Sequence, residues 1–143
     1  MLEVREEKPK TPIRSFTDLM AWQETYKLTL DVYKVTQNFP ASENFGLTSQ
    51  MRRASVSGVS NIAEGFGRST SKDREHFYQM ASGSLHELKS QMLVAQGLHY
   101  VSETEYDSLL IAADQAHRLL NGLLRSHKSN NKFTNLQRLT SNV

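Results

Sequence analysis

Apolar side chains recur at steps of three and four along most of the chain, which is the spacing of a helix face that is buried. Four segments follow this pattern, at residues 18–38, 47–65, 71–98 and 102–127. The chain before them is charged and contains two prolines, and the chain after them is polar, basic and free of acidic residues. We therefore predict three parts: a flexible segment over 1–15, one bundle over 16–127 and a disordered basic tail over 128–143.

The first of these segments carries two apolar faces. We assign its core face to five side chains, Leu19, Trp22, Tyr26, Leu30 and Tyr33. A second set lies elsewhere on the same helix, Leu28, Val32, Val35 and Phe39. The second set indicates either a wide core face or a surface buried between subunits, and the pattern favours neither. Thr17 is the predicted N-cap, and Pro40 ends the segment because the residue before a proline avoids the α region.

The second segment is rich in small side chains. Its apolar stripe consists of Leu47, Met51, Ala54, Gly58 and Ile62. A glycine inside a helix costs about 1 kcal/mol relative to alanine. We therefore expect Gly58 to allow close packing of another helix.

The last two segments have longer apolar stripes. The third carries Phe77, Ala81, Ser84, Leu85, Leu88, Met92, Ala95 and Leu98. The fourth begins at Ser102, which has the spacing of a capping box with Glu105, and it continues with Leu109, Leu110, Ala113, Leu120, Leu123 and Leu124. Four long helices joined by short loops predict an all-α protein, an up-down-up-down antiparallel four-helix bundle.

Composition narrows the classes of function. The 143 residues suit one domain, and the absence of cysteine excludes disulfides and thiolate chemistry. The formal charge of +2 is too small to indicate nucleic-acid binding by itself. No apolar run has the length of a membrane span and the start lacks a signal-peptide pattern, so we expect a cytoplasmic protein without a membrane partner.

Two Asp-x-x-His pairs resemble the ligands of di-iron bundles. They are Asp73 with His76 in the third segment and Asp114 with His117 in the fourth. In an antiparallel hairpin that turns near Tyr100, facing residue numbers add up to about 200, so the two pairs lie about 10 Å apart along the axis. One metal centre cannot span that distance. We predict no metal site and histidines on charged surface faces.

The same register places four polar side chains near one end of the bundle, Glu24, Asn61, Glu64 and His76. A structural cluster of hydrogen bonds is favoured over a catalytic site. No set of nucleophile, base and orienting group can be assembled from the sequence. We therefore predict no catalytic residue and no cofactor.

Four basic side chains are candidates for binding an anion. Arg68 and Lys72 follow a glycine-containing loop and could hold a phosphate at the start of the third helix, although a helix C-cap with a tight turn is favoured there. Arg52 and Arg53 splay apart on the second helix, so at least one leaves the core face. Their guanidinium groups suit phosphates or ion pairs with Glu43, Glu87 or another subunit, and spacing does not decide between these.

Three motifs in one order, FGL at 45–47, QxRRA at 50–54 and NIAEGxGR at 61–68, resemble the bacterial 23S rRNA intervening-sequence proteins. The resemblance extends over about Phe16 to Leu124. It implies an up-and-down four-helix bundle that forms a homopentamer and has neither an enzymatic activity nor a cofactor. It also relates the chain to accessory proteins of diversity-generating retroelements, which bind a reverse transcriptase and nucleic acid through a basic surface.

Carried over by position, the resemblance makes Arg52, Arg53 and Arg68 the best candidates for nucleic-acid contact or subunit pairing, whereas Asn61 and Glu64 look structural. We expect a non-enzymatic, self-assembling bundle that binds structured RNA or DNA, or a protein bound to nucleic acid. The alternative is a structural or adaptor oligomer whose arginines serve only its interfaces. Five copies would carry a formal charge of about +10, which an assembly can concentrate on one face.

Overall fold

The computed structural model describes the backbone of residues 12–140 and the side chains of residues 12–126. Four α-helices form the described part: α1 Met20–Thr36, α2 Leu47–Phe66, α3 Ser71–Gly97 and α4 Glu103–Thr140. Two short 3-10 turns, Phe16–Asp18 and Ala41–Glu43, precede α1 and α2. No strand occurs over this range, so the predicted all-α class is confirmed.

Contacts between successive helices show that each runs opposite to the one before it. For each pair of neighbouring helices, the contact that lies later in one helix lies earlier in the other. The pairs are Thr36–Arg52 and Thr29–Ser55 for α1 and α2, Ser57–Ser84 and Gly65–Tyr78 for α2 and α3, and Lys89–Asp114 and Ser82–His117 for α3 and α4. Helix α1 also packs against α4. The result is an up-down-up-down bundle in which the α1–α2 and α3–α4 sides lie opposite each other.

The core face that the sequence predicted for α1 is wrong. Tyr26, Leu30 and Tyr33 are 44%, 52% and 41% exposed. Of the predicted set only Leu19 is buried, with Trp22 half-buried. The buried residues come from the second set, which supplies Leu28, Val32 and Phe39, and from the threonines between them.

Buried threonines form part of the core face of α1, so the spacing of apolar residues alone does not identify this face. Thr25, Thr29 and Thr36 are buried, and each hydroxyl donates a hydrogen bond of 2.7 or 2.8 Å to the carbonyl four residues earlier. Because that bond satisfies the hydroxyl within the helix, the rest of the side chain can pack as an apolar group. A pattern that counts threonine as polar therefore selects the opposite face.

Close approach of a neighbouring helix's side chain to the backbone occurs at one end of α2 rather than at its middle. A Cβ at Gly58 would lie 3.5 Å from Thr25 Cγ2 and 3.6 Å from Leu85 Cδ2, which is ordinary contact. A Cβ at Gly65 would lie only 2.7 Å from Tyr78 Cε1. The close packing that we expected at Gly58 is therefore required at Gly65.

The cap before α1 differs from the one that the sequence predicted. Ser15, not Thr17, caps the first turn, through a capping box with Asp18. The backbone hydrogen bonds from Arg14 and Ser15 lower the pKa of the Asp18 carboxyl. Glu43 Oε2 accepts a hydrogen bond of 2.7 Å from the Leu47 N–H and so caps α2. The box predicted at the start of α4 is confirmed, because Ser102 and Glu105 bond each other's backbone N–H.

Helix α4 continues to Thr140, past residue 127 where the sequence predicted its end. No glycine or proline follows Gly122, so no residue there forces the backbone out of the helix. The regular backbone of residues 128–140 therefore differs from the predicted disordered tail. Residues 1–11 and 141–143 of the two predicted end segments lie outside the described residues.

Candidate functional site

Arg52 is bound to α1 instead of projecting freely into solvent. Its Nε donates to Thr36 Oγ1 at 2.9 Å, and its Nη2 donates to the Tyr33 carbonyl at 3.4 Å. The guanidinium carbon lies 4.7 Å from the centroid of the Tyr33 ring, within the range of a cation–π contact. Arg52 is half-buried as a result, while its neighbour Arg53 is exposed and lines the same pocket as Tyr33.

The other two predicted basic contacts lie at the turn between α2 and α3. Arg68 pairs with Glu64 at 2.7 Å and lies 4.5 Å from the centroid of the Phe77 ring. The turn begins at Gly67, which is the C-cap of α2 as predicted. Thr70 caps α3 by accepting from the Asp73 N–H at 3.2 Å. A phosphate held there would compete with this cap and with Glu64, whereas Lys72 stays exposed.

The predicted polar cluster consists of side chains that bond locally. Glu24 pairs with Lys27 at 3.2 Å, and the Asn61 amide donates to the Ser57 carbonyl at 2.8 Å. Glu64 pairs with the arginine of the following turn, and the His76 ring lies edge-on to its neighbour Phe77. Each of the four thus contacts its own helix or the adjoining turn, which is the local hydrogen bonding typical of structural residues.

An apolar stripe, which we call the aromatic stripe, runs along α1 and is formed by the exposed Tyr26, Leu30 and Tyr33 and the half-buried Trp22. The Trp22 and Tyr26 rings are stacked, with centroids 5.1 Å apart and planes 8° from parallel. Val56 of α2 is 40% exposed and lines the pocket beside Tyr33 and Arg52. Contiguous exposed apolar surface of this kind is typical of protein–protein interfaces.

A second group of interacting polar side chains, which the sequence did not predict, lies between α3 and α4. Lys89 Nζ is 2.9 Å from Asp114 Oδ1 and 3.0 Å from His117 Nδ1. The other ring nitrogen, His117 Nε2, is 2.9 Å from Ser82 Oγ. The His86 ring lies edge-on to the His117 ring, with centroids 4.3 Å apart. His117 is 6% exposed, so the prediction of a surface histidine is wrong for this residue.

The hydrogen bonds assign the tautomer of His117. An ammonium group can only donate, so Nδ1 accepts from Lys89 and the ring proton lies on Nε2, which donates to Ser82. Burial, and then the positive charge of Lys89, lower the pKa of His117 to about 4, and the ring is neutral at pH 7. Since Nε2 already carries a proton, His117 cannot deprotonate the Ser82 hydroxyl in this arrangement.

The surface around this group is an open cleft of about 600 Å³. We call it the basic cleft, and it is lined by Ser82, His86, Lys89, Asp114, His117, Arg118, Asn121 and Arg125. Three cations face a single carboxylate there. Arg118 and Arg125 are exposed and lie seven residues apart on α4, which places them on one helix face.

Sequence reasoning contained one signal that could have found the basic cleft. The predicted register sets His117 opposite position 83, and the structure bonds it to Ser82. Applying that register to every charged residue of α3 and α4 would also have brought Lys89 near the same place. The Asp-x-x-His spacing includes only Asp114 and His117 of α4. It does not include Lys89, which lies on α3.

Neither a metal site nor a membrane span is found where the structure describes the chain. Over those residues no three His, Asp or Glu side chains come together as ligands for a metal ion. No helix in the same range combines the length and the apolar character that crossing a membrane requires.

Comparison with known proteins matches the described bundle. The family model of the 23S rRNA-intervening sequence protein matches residues 17–122. A crystal structure of a protein with unknown function from the S23 ribosomal protein family, from Bacteroides thetaiotaomicron VPI-5482, superposes with a TM-score of 0.67. That protein is 17% identical, and the alignment covers 73% of this chain and 98% of that chain. At this identity it shows a shared fold. No curated protein matches the chain.

Proposed function

This chain belongs to the 23S rRNA-intervening sequence protein family, and we propose that it is a non-enzymatic, self-assembling bundle that binds structured RNA or DNA. Binding uses a basic surface of the oligomer, and a reverse transcriptase or another protein bound to nucleic acid is an expected partner. The proposed place of action is the cytoplasm. The observation that carries the self-assembly is the exposed aromatic stripe on α1.

The aromatic stripe supports self-assembly because its exposure is unfavourable in a monomer. Burying apolar surface contributes about 25 cal/mol per Å², and aromatic side chains bury large areas. The stripe is paired with Arg52, and aromatic residues and arginine are the types enriched at protein interfaces. A second copy of this chain is the proposed occupant.

A closed ring needs two different surfaces on each subunit, because every copy contacts the next in the same way. Besides the stripe, α3 exposes Met80, Val94 and Leu98, which are 45%, 50% and 50% exposed. Their spacing of fourteen and four residues places them on one face of α3. The proposed ring joins this α3 face to the aromatic stripe of the next copy, and the family resemblance suggests five copies.

A second candidate function is favoured by the contacts of Arg52. Because its guanidinium is bound to Thr36 and Tyr33, it sits within the apolar surface proposed for subunit contact. In this alternative the protein is a structural or adaptor oligomer without affinity for nucleic acid. The arginines of α2 then serve only the subunit interface.

One pair of measurements on one set of variants tests both candidates. Light scattering measures the oligomer mass, and titration of a labelled RNA hairpin and a DNA duplex measures binding as the salt concentration rises. Leu30→Glu places a charge within the stripe and should reduce the mass toward that of one chain. Ile111→Glu is the matched control, since Ile111 is a 72% exposed apolar residue of α4 outside both proposed surfaces.

The outcomes separate the two candidates. A wild-type oligomer that binds RNA or DNA, with an affinity that falls steeply with salt because counterions are released, supports the proposed function. An oligomer without affinity at low salt supports the structural alternative. A monomeric wild type, or equal masses for the wild type and Leu30→Glu, contradicts self-assembly through the stripe.

A further inference from the structure

We propose that the basic cleft between α3 and α4 binds the phosphate groups of a nucleic-acid backbone. This inference rests on the proposed function, and it places the phosphate contact on the side of the bundle opposite Arg52. The cations of the cleft are held by other contacts than those of Arg52 and Arg68.

Two groups of α4 hold Lys89 in a fixed position, the Asp114 carboxylate and the neutral His117 ring. Its ammonium has three protons, and the contacts to Asp114 and His117 account for two of them. A lysine on a free stem loses rotamer entropy when it binds a ligand, whereas Lys89 has already lost it on folding. The ammonium is therefore preorganised, with a donor remaining for a phosphate oxygen.

The neutral His117 keeps positive charge in the basic cleft. It accepts a hydrogen bond from Lys89 without adding a negative charge. Asp114 supplies the only carboxylate among the residues that line the cleft. Arg118 hydrogen-bonds the neutral amide of Gln115 and thus keeps its charge uncompensated by that bond. The described walls of the cleft carry more positive than negative charge, as phosphate binding needs.

The positions of Arg118 and Arg125 suit an extended anion rather than a single small one. Seven residues of helix separate them by about 10 Å along the axis. This separation lets two arginines contact different phosphates of one backbone.

The basic residues on the other sides of the bundle suit phosphate less well. Arg68 is paired with Glu64 and covers an aromatic ring. Arg52 uses its donors on Thr36 and Tyr33 within an apolar surface. A phosphate would have to displace these contacts, whereas Arg118 and Arg125 stand beside an open cleft.

The test is the double variant Arg118→Glu/Arg125→Glu, titrated with a labelled RNA duplex at about 50 mM salt. We expect the affinity to fall at least about tenfold and its salt dependence to become shallower, because fewer counterions are released. The matched control is Lys27→Glu/Lys34→Glu, which makes the same change of charge at two exposed positions of α1 outside the cleft. We expect less than about a threefold loss from the control, through long-range electrostatics alone.

A third variant works in the opposite direction. Asp114→Asn removes the one carboxylate of the basic cleft while keeping an oxygen that can accept from Lys89. We expect this variant to bind the RNA duplex more tightly than the wild type. Circular dichroism and oligomer mass, measured on all variants, show that a change in affinity is not a change in folding.

Failure of this inference can be distinguished from failure of the proposed function. Wild-type binding that survives Arg118→Glu/Arg125→Glu, or is lost in the control to the same extent, overturns the basic cleft as the binding surface and leaves the proposed function standing. If Asp114→Asn binds more weakly than the wild type, the inference is also overturned. A wild type that binds neither the RNA duplex nor a DNA duplex at low salt removes both.

Discussion

Two cations on opposite sides of the bundle, Arg52 and Lys89, are both held by side chains of a neighbouring helix, yet their surroundings differ. Arg52 bonds a threonine hydroxyl and covers the Tyr33 ring, among exposed apolar residues. Lys89 bonds a carboxylate and an imidazole, in a cleft with two more cations. The neighbours of a basic residue, more than its spacing along the chain, therefore indicate what it can bind.

The largest expected effect comes from the buried histidine of the α3–α4 side. The pKa of His117 is about 4 in the folded protein, against 6.5 for an unperturbed histidine. Between these values the unfolded chain binds a proton that the folded chain does not. Stability is therefore lost as the pH falls from about 6.5 to about 4, by up to about 3 kcal/mol. Urea unfolding at pH 7, 5 and 4 measures this loss.

The matched variant for this pH dependence is His117→Gln, which removes the titrating group and keeps a side chain able to form hydrogen bonds. Its free energy of unfolding should change less than that of the wild type between pH 7 and pH 5, by about 2 kcal/mol. Other groups that titrate contribute equally to both proteins, so the difference isolates His117. Parallel curves for the two proteins would show that the ring is not buried in its neutral form.

The same contrast explains which parts of the structure the sequence could predict. Four apolar stripes, the turn at Tyr100 and the capping box at Ser102 depend on local spacing, and the fold followed from them. The core face of α1 did not, because Thr25 and Thr29 satisfy their hydroxyls within the helix and pack like apolar residues. The periodic pattern alone could not distinguish a buried stripe from an exposed one when both were apolar.

The functional surfaces were less predictable than the fold. Arg52 and Arg53 are adjacent in sequence, but only the folded chain shows that one is bound to Tyr33 and the other is exposed. The basic cleft combines Lys89 of α3 with residues of α4 that lie some 25 positions further along the chain. No sequence motif spans such a distance. Only the register between α3 and α4 predicts that these residues lie close together.

Helix α2 packs against α1 and against α3, and its two buried glycines differ in the space around them. Gly65→Ala should lower the free energy of unfolding by about 2 kcal/mol, because its Cβ would lie 2.7 Å from the Tyr78 ring of α3. Gly58→Ala should raise it by up to about 1 kcal/mol, since its Cβ fits and alanine favours the helix. Urea unfolding measures both, and a loss at Gly58 would contradict the ordinary contacts found there.

Two hydroxyl groups, of the half-buried Ser82 and the buried Thr29, provide a smaller contrast between the two sides. Ser82→Ala leaves the His117 Nε2–H without its partner on α3, so we expect a loss of about 1 kcal/mol. Thr29→Val removes a donor whose main acceptor, the Thr25 carbonyl, lies in its own helix, and the volume is conserved. Its loss should be smaller than that of Ser82→Ala. The opposite order in thermal unfolding would show that the contact between α1 and α2 through Ser55 carries more of the stability.

The smallest expected change in stability comes from a substitution of Arg52. Arg52→Lys keeps the charge but loses the planar group that covers Tyr33 while bonding Thr36, so we expect a loss of about 1 kcal/mol or less. Arg53→Lys is the adjacent control, and its change should stay within about 0.5 kcal/mol because Arg53 is exposed. If subunit contact buries the Tyr33–Arg52 pair, Arg52→Lys also lowers the oligomer mass at low protein concentration. Equal oligomer masses for Arg52→Lys and Arg53→Lys would show that the pair contributes nothing to the interface.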